Sequence, residues 1–350
     1  MSCLLVTGGA GFIGSNLVHR AVAAGYTIIN LDALTYAGNP DNLAGLKAPE
    51  RHVFVQGSIN DRPLLNRLLA RHRPAAIVNL AAESHVDRSI DDPGAFIRTN
   101  VDGTFELLEA ALAYWRTLPP AERDAFRLLH VSTDEVYGTI AEGRFTEESR
   151  YAPNSPYAAS KAAADHLVRA FHATYGLPTL ITNCGNNYGP RQFPEKLIPH
   201  MVLSAIAGQP LPVYGDGLQV RDWLHVDDHC SALLRVLEAG QPGTAYNIGG
   251  QGDRTNIEVV QAICDILDRR RPRQGSHRSL IVHVTDRPGH DRRYALDATR
   301  IERELGWRPS VPFPAGLERT VTWYLDNLAW CERIKNGGYR LARIGLGRGG

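Results

Sequence analysis

Apolar residues in the first two thirds of the chain follow two alternating patterns. Short apolar runs at residues 3–7, 27–31, 52–56, 76–80, 127–132 and 179–183 are typical of buried strands. Longer stretches between them, such as residues 14–24 and 101–114, repeat apolar side chains at the spacing of an amphipathic helix. Strands that alternate with helices predict an α/β fold with a doubly wound parallel sheet of the Rossmann type.

The pattern changes from about residue 188, where proline and glycine interrupt the regular alternation. We therefore expect a Rossmann domain over residues 1–185 and a smaller C-terminal lobe, mainly for substrate binding, over residues 186–336. Residues 246–249 again look like the end of a buried strand, so later segments are expected to return to the first domain. Residues 337–350 are rich in glycine and arginine without apolar periodicity, which predicts a flexible tail.

A glycine-rich loop joins the first predicted strand to the first predicted helix. Gly8, Gly11 and Gly14 allow a tight turn and a close approach to a pyrophosphate, and the start of the helix points its N–H groups at that negative charge. Asp32 ends the second predicted strand, where a carboxylate accepts hydrogen bonds from ribose hydroxyls and repels a 2'-phosphate. The loop and the acid together predict an NAD site rather than an NADP site.

Tyr157 and Lys161 stand one helical turn apart at the start of a predicted helix. A lysine beside a phenol stabilises the phenolate, so we expect the pKa of Tyr157 to fall from about 10 toward neutrality. An isolated pair of this kind also fits an ordinary helix surface. Here Ser132 and Thr133 precede it at the end of a predicted parallel strand, where such folds bind their ligands, and this favours a catalytic base.

Two adjacent carboxylates, Asp134 and Glu135, follow Thr133. Elimination of water needs a base for one proton and an acid for the departing hydroxyl, whereas epimerisation needs only the tyrosine base. Side chains of adjacent strand residues point to opposite faces, so both acids can serve one site only if the strand has already ended. The alternative is an acidic turn exposed to solvent.

These residues together resemble the extended short-chain dehydrogenase/reductase superfamily, and longer motifs resemble its dTDP-glucose 4,6-dehydratases. The motifs lie at residues 80–89, 182–190, 193–197 and 286–294, and the resemblance extends to about Tyr324. It implies an NAD-dependent hydro-lyase that oxidises C4 of dTDP-glucose, eliminates water across C5 and C6, and returns the hydride to C6. The product would be dTDP-4-keto-6-deoxyglucose.

The resemblance also implies roles for individual residues. The expected catalytic residues are Thr133, Asp134, Glu135, Tyr157 and Lys161. The expected NAD contacts are Gly8, Gly11, Phe12, Ile13, Gly14, Asp32, Thr35, Ser58, Ile59, Leu80, Ala81, Ala82, Ser84, Thr99, Tyr157, Lys161 and Asn187. The expected contacts to the sugar nucleotide are His85, Thr133, Asn186, Glu195, Lys196, Leu197, Pro212, Tyr214, Arg221, Asn256, Asp286, Arg287 and His290.

One position departs from the family pattern. Ser58 stands where the family usually has an aspartate facing the adenine amino group. A neutral hydroxyl accepts that hydrogen bond more weakly than a carboxylate does.

Other interpretations stay open at this point. The chain could be another nucleotide-sugar 4,6-dehydratase, acting on a UDP-, CDP- or GDP-linked hexose, or a 4-epimerase of the same superfamily. A non-catalytic NAD-binding regulatory protein is a further alternative, because a fold does not by itself imply a function.

Composition narrows the partners and the compartment. A net charge of +1 gives no electrostatic reason to expect nucleic acid, and no apolar stretch is long enough to span a membrane. Five cysteines without a CxxC pair indicate reduced thiols and a cytoplasmic protein. The family resemblance and the amphipathic stretches at residues 101–114 and 159–175 favour a homodimer.

The segment from His225 to His229 contains two histidines and two aspartates. We expect Asp227 to cap a helix that follows a strand, which would place the two histidines on different elements. No metal site is expected, since ligands must converge on one point.

Overall fold

The computed structural model describes residues 2–286 and 289–336. Its strands are β1 (Cys3–Thr7), β2 (Thr27–Asp32), β3 (His52–Gln56), β4 (Ala76–Asn79), β5 (Arg127–Thr133), β6 (Thr179–Cys184), β7 (Asn186–Tyr188), β8 (Leu211–Tyr214), β9 (Val220–His225), β10 (Ala245–Ile248), β11 (Asp253–Thr255) and β12 (Ile281–Val284).

The α-helices of the same residues are α1 (Phe12–Ala23), α2 (Arg62–His72), α3 (Val86–Asp91), α4 (Pro93–Phe96), α5 (Gly103–Thr117), α6 (Pro120–Ala125), α7 (Pro156–Tyr175), α8 (Leu197–Ile206), α9 (Val226–Ala239), α10 (Asn256–Arg270), α11 (Thr299–Leu305), α12 (Phe313–Asp326) and α13 (Leu328–Asn336). Short 3-10 turns lie at Pro40–Leu43, Pro49–Arg51, Asp134–Tyr137 and His277–Leu280, and a π-helical segment lies at Ile97–Asp102.

The large sheet is parallel and runs in the order β3-β2-β1-β4-β5-β6-β10. The order 3-2-1-4-5-6 is that of doubly wound dinucleotide-binding folds, so the predicted fold class is confirmed. β10 adds an edge strand from late in the chain, as the pattern at residues 246–249 indicated. The domain boundary near residue 185 stays a prediction.

Helices cover both faces of this sheet because its strands are apolar on both sides. On β1, Leu4 and Val6 pack with residues of α1 and α9, whereas Leu5 packs with residues of α2, α5 and α7. Side chains alternate between the two faces of a strand, and a strand that is covered on both faces reads as a continuous apolar run. Each such buried aliphatic side chain contributes about 1.5–3 kcal/mol.

A second core lies in the C-terminal part of the chain. Val202 of α8, Val259 of α10 and Val321 of α12 pack together in it. Two small sheets, β11-β9-β7 and β12-β8, belong to this part. The sequence predicted a smaller C-terminal lobe. The regular alternation of strand and helix patterns that located β1–β6 does not continue in this part of the chain.

Two local predictions need correction. The helix expected at residues 101–114 begins at Gly103 and runs to Thr117, because the preceding Ile97–Asp102 segment is wound as a π-helix. The cap of α9 is His225 and not Asp227: His225 Nδ1 accepts from the Asp227 backbone N–H at 3.3 Å. β9 passes directly into α9, so the last extended residue is the one that caps the helix.

The two histidines do lie on different elements, with His225 ending β9 and His229 within α9. The Asp228 carboxylate accepts hydrogen bonds from Ser310 and Val311. Within the described ranges, no group of three or more His, Cys, Asp or Glu side chains could hold a metal ion, and no helix is long and apolar enough to cross a membrane. Residues 337–350, predicted to be a tail, lie outside the described residues.

Candidate active site

A long cavity lies at the carboxyl ends of the central strands. It follows the loops after β1, β2 and β4 and reaches the end of β5 and the start of α7. The strand order reverses between β1 and β4, and doubly wound folds bind their ligands in the crevice at that point.

The glycine loop has no room for a side chain at Gly8 or at Gly14. Gly8 has φ +71°, and a Cβ there would lie 2.7 Å from the backbone nitrogen of Ala81. A Cβ at Gly14 would lie 2.1 Å from the Gly8 carbonyl oxygen. The loop leads directly into α1, whose first residues line the cavity, so the positive end of the helix faces it. This arrangement fits a pyrophosphate.

Asp32 lines the same cavity and is held by backbone groups. Its Oδ2 accepts from the Ala10 N–H and its Oδ1 from the Leu34 N–H, both at 2.8 Å. The carboxylate is therefore oriented by the glycine loop on one side and by the end of β2 on the other.

β5 ends at Thr133, and the next four residues form a 3-10 turn. The Thr133 hydroxyl accepts from the Glu135 N–H at 3.3 Å and donates to Asp134 Oδ1 at 3.3 Å. Because the strand has ended, Asp134 and Glu135 both line the cavity, as the elimination hypothesis requires. Glu135 also lines a second cavity next to the first.

Asp134 is almost completely buried, and its Oδ2 has no hydrogen-bond partner in the part of the chain that the structure describes. Burial, followed by the nearby Glu135 and Asp222 carboxylates, raises the pKa of Asp134 well above its usual 3.8. A carboxyl group with a raised pKa stays protonated nearer neutral pH, and it can then act as a proton donor.

Tyr157 departs from its predicted behaviour. Burial and the Glu135 carboxylate raise its pKa well above the usual 10, and a hydrogen bond with Thr133 opposes this only in part. The expectation that Lys161 brings this pKa toward neutrality is therefore wrong for the protein alone. Lys161 Nζ donates to the Val131 carbonyl oxygen at 2.9 Å, and it lies 3.3 Å from His130 Nε2.

The second cavity lies between residues 84–87, the start of α8 and the small sheets. Five residues line both cavities, and they are Ser84, Glu135, Asn186, Glu195 and Lys196. Molecules bound in the two cavities would therefore meet beside Glu135.

Among the described residues, an arginine and a lysine line the second cavity. Arg221 is buried across the ring of Tyr294 at 4.4 Å, and it donates to the carbonyl oxygens of Val220 and Asp291. Lys196 Nζ donates to the Ser84 carbonyl oxygen at 2.9 Å. Both side chains are anchored by backbone carbonyls, which suits a fixed site for an anion.

His290 also lines the second cavity, and its Nδ1 lies 2.7 Å from Asp286 Oδ1. Asp286 itself lines neither cavity, and it accepts from Gln219 as well as holding His290. The structure shows Asp286 as the partner of His290, and its contact with the ligand stays a prediction. Arg287, from the same predicted motif, lies outside the described residues.

The sequence and the fold resemble those of known proteins. The sequence profile of the GDP-mannose 4,6 dehydratase family matches residues 5–320. The dTDP-glucose 4,6-dehydratase of Xanthomonas campestris pv. campestris (strain B100) is 62% identical to the chain, and the match covers 99% of each. This chain belongs to the dTDP-glucose 4,6-dehydratase family.

Solved structures of the family agree. The dTDP-glucose 4,6-dehydratase DesIV of Streptomyces venezuelae, solved with NAD bound, is 50% identical and superposes with a TM-score of 0.87 over 95% of this chain and 99% of DesIV. The Bacillus anthracis str. Ames dTDP-glucose 4,6-dehydratase, in complex with NAD, is 46% identical with a TM-score of 0.85 over 95% of this chain and all of the other.

In this dTDP-glucose 4,6-dehydratase family member, the residues predicted from sequence come together almost completely. Every residue of the expected NAD and catalytic sets lines the first cavity. The expected sugar-nucleotide contacts line one cavity or the other, apart from Asp286 and the undescribed Arg287. Their individual roles stay predictions.

Sequence reasoning missed a buried layer next to Lys161, formed by His130 and Asp165. It also missed several cavity-lining residues, among them Glu83, Cys184, Gln192 and Phe193 in the first cavity and Asp87, His200, Met201, Trp223 and Val260 in the second. One signal was available, because Asp165 continues the four-residue spacing of Tyr157 and Lys161.

Proposed function

We propose that this protein converts dTDP-glucose to dTDP-4-keto-6-deoxyglucose with NAD as its cofactor. The observation that carries the proposal is the pair Asp134 and Glu135, which lines the same cavity as Tyr157 directly after the end of β5. An epimerase needs Tyr157 alone for its proton transfer, whereas elimination of water also needs this acid and this base.

NAD fits the first cavity because the backbone at Gly8 and Gly14 leaves no room for a Cβ and the positive end of α1 faces the cavity. Asp32 would accept from a ribose hydroxyl, and residues 57–59 line the cavity beyond it. The bound NAD of the related structures supports this assignment. When bound in this cavity, NAD would supply the acceptor for the C4 hydride and the source of the hydride returned to C6.

Tyr157 takes the proton of the C4 hydroxyl, and Thr133 donates a hydrogen bond to the same oxygen. Because burial favours the neutral phenol, Tyr157 needs positive charge nearby to ionise, and Lys161 one helical turn away is the source within this chain. Thr133 ends β5, and Tyr157 and Lys161 lie near the start of α7, which suits these separate roles.

The 4-ketone makes the C5 proton acidic. Glu135 removes that proton, and Asp134 protonates the C6 hydroxyl as it leaves; the raised pKa of Asp134 suits a proton donor. Glu135 then returns the proton to C5 as C6 is reduced. The two roles differ because Asp134 is fully buried while Glu135 lies where the two cavities meet.

The second cavity would hold the nucleotide. Arg221 and Lys196 are its cations and would pair with the diphosphate. Tyr214, Asn256 and His290 line the rest with apolar neighbours, which suits a sugar ring and a pyrimidine base.

The test is to mix the purified protein with dTDP-glucose and to measure the alkali-induced absorbance of a 4-keto sugar. The proposal predicts that this absorbance appears with dTDP-glucose and is much weaker with UDP-, CDP- or GDP-linked hexoses. A 4-epimer without keto sugar would contradict dehydration, and no product at all would favour a non-catalytic protein.

A homodimer is proposed through α5 and α7. Phe105 and Tyr175 are about 40% exposed there, and both rings contact Phe171 edge-on. Exposed aromatic patches of this kind mark interfaces. Light scattering at micromolar concentration should give twice the chain mass, and Phe105→Glu with Tyr175→Glu should give the monomer. Phe54→Glu on the edge strand β3 is the control, and a monomeric wild type would contradict the proposal.

A cytoplasmic location is proposed from the free-thiol state of the cysteines. All five are free thiols, the usual state in a reducing compartment. Fractionation of the source cells with an antibody to the protein would test it.

A further inference from the structure

Asp165 lies one turn after Lys161 on α7, just as Lys161 lies one turn after Tyr157. Residues four apart share one face of a helix. All three side chains are buried, and Asp165 has no exposed surface. The catalytic scheme above uses Tyr157 and Lys161 but gives no role to this carboxylate.

Lys161 is in surroundings that disfavour its charge. Its side chain is 3% exposed, and burial lowers the pKa of the amine below its usual 10.5. The strongest opposing influence on that pKa is the Asp165 carboxylate, followed by Cys184. Without Asp165, the balance shifts toward a neutral amine.

His130 lies between the two side chains, with its Nε2 3.3 Å from Lys161 Nζ and 3.5 Å from Asp165 Oδ1. His130 Nδ1 lies 3.1 Å from the Asn79 side-chain amide. A charged Lys161 requires an unprotonated Nε2, which accepts from the ammonium group, and the ring proton then sits on Nδ1 with the Asn79 side-chain oxygen as its acceptor. In this tautomer His130 is neutral and places no positive charge beside Lys161.

The carboxylate of Asp165 is itself stabilised. Its Oδ2 accepts from the Ser132 hydroxyl at 2.8 Å, the Tyr151 hydroxyl at 2.9 Å and the Asn183 amide at 3.3 Å. Burial raises the pKa of Asp165, and the positive charge of Lys161 together with these three donors opposes that rise. Three donors on one oxygen are the arrangement expected for an ionised group.

We propose that Asp165 is a positioning residue that keeps Lys161 as an ammonium ion, so that Tyr157 can ionise and accept the C4 hydroxyl proton. The inference rests on the proposed function for the role of Tyr157. The titratable groups around Lys161 are His130 from β5, Cys184 from β6, and Tyr157 and Asp165 from α7. The pKa of His130 lies well below 6.5 and that of Cys184 at about 12, so neither changes charge near neutral pH.

The first experiment follows bound NADH after mixing with dTDP-glucose, as a function of pH, in wild type and Asp165→Asn. If Lys161 loses its charge in the variant, Tyr157 ionises less readily, and the acidic limb of the rate profile moves up by about one pH unit. Below that limb the rate is then about tenfold lower. If Asp165 is only a nearby negative charge, its removal makes Tyr157 ionise more readily, and the limb moves down.

Tyr151→Phe is the matched control. It removes one hydrogen bond to the same Asp165 oxygen but leaves the carboxylate, so the limb should stay in place. A limb that is unmoved or moves down in Asp165→Asn overturns the proposal.

The second experiment does not need Asp165→Asn to fold, because the wild-type spectrum alone tests the charge of Lys161. The chain has four lysines, so selective nitrogen-15 labelling of lysine gives a simple spectrum, in which Lys161→Arg identifies one signal. The wild-type Lys161 nitrogen should be an ammonium at neutral pH and, where Asp165→Asn folds, a neutral amine in it. A neutral amine in wild type overturns the proposal. If wild type forms no NADH with dTDP-glucose, the proposed function fails instead, and the spectrum still decides the charge of Lys161.

Discussion

The sharpest prediction concerns Glu135, which lies where the two cavities meet. Glu135→Gln keeps the size of the side chain and the backbone hydrogen bond to Thr133 at 3.3 Å, but it removes the base. Proton transfer by a positioned group contributes about 10²–10⁴-fold to a rate. We therefore expect elimination of water to slow by roughly that factor.

Oxidation at C4 should not slow in the same variant. After burial, the Glu135 carboxylate is the largest influence that raises the pKa of Tyr157, and the same holds for Asp134. Its loss lowers both pKa values, so Tyr157 ionises more readily. With oxidation intact and elimination blocked, most of the bound cofactor should become NADH and remain so.

The assay is stopped-flow absorbance of bound NADH with substrate in excess, together with the yield of 4-keto-6-deoxy product. Glu83→Gln is the control. Glu83 has the same side chain as Glu135 and lines the first cavity, but it has no role in the proposal. If Glu135→Gln dehydrates at the wild-type rate, or if elimination slows without accumulation of NADH, the assignment of the base to Glu135 is refuted.

Three further outcomes are expected. Tyr157→Phe should block NADH formation altogether, because no group then takes the C4 hydroxyl proton; normal reduction of NAD in a single turnover would contradict this. Asp134→Asn should also accumulate NADH. In the wild type, elimination of water should slow as pH rises through the raised pKa of Asp134, and single-turnover product formation measured against pH would detect this. Ser58→Asp should slow the loss of NAD on dilution several-fold, since a charged acceptor strengthens the adenine hydrogen bond by about 1 kcal/mol; unchanged or faster loss would show that residue 58 does not face the adenine.

Much of the fold and of the site could be predicted from sequence for one physical reason. Strands covered on both faces are apolar throughout, so β1–β6 were located to within a residue at each end. The carboxyl ends of parallel strands lie at one edge of the sheet, so residues that follow different strands, such as Gly8, Asp32 and Thr133, were expected to meet. Local spacing and sheet topology together determined the cavity.

The tertiary structure decided what depends on burial and on distant partners. Spacing placed Lys161 beside Tyr157, but the buried surroundings set the direction of the Tyr157 pKa, and they raise it. Asp286 was assigned to the ligand, yet its carboxylate holds His290, an arrangement that only the packed loop shows. Asp165 had the right spacing in the sequence, but its proposed role rests on its contacts with His130 and with hydrogen-bond donors on other segments of the chain. Desolvation and long-range hydrogen bonds depend on which side chains the fold packs together, and a linear pattern does not contain that information.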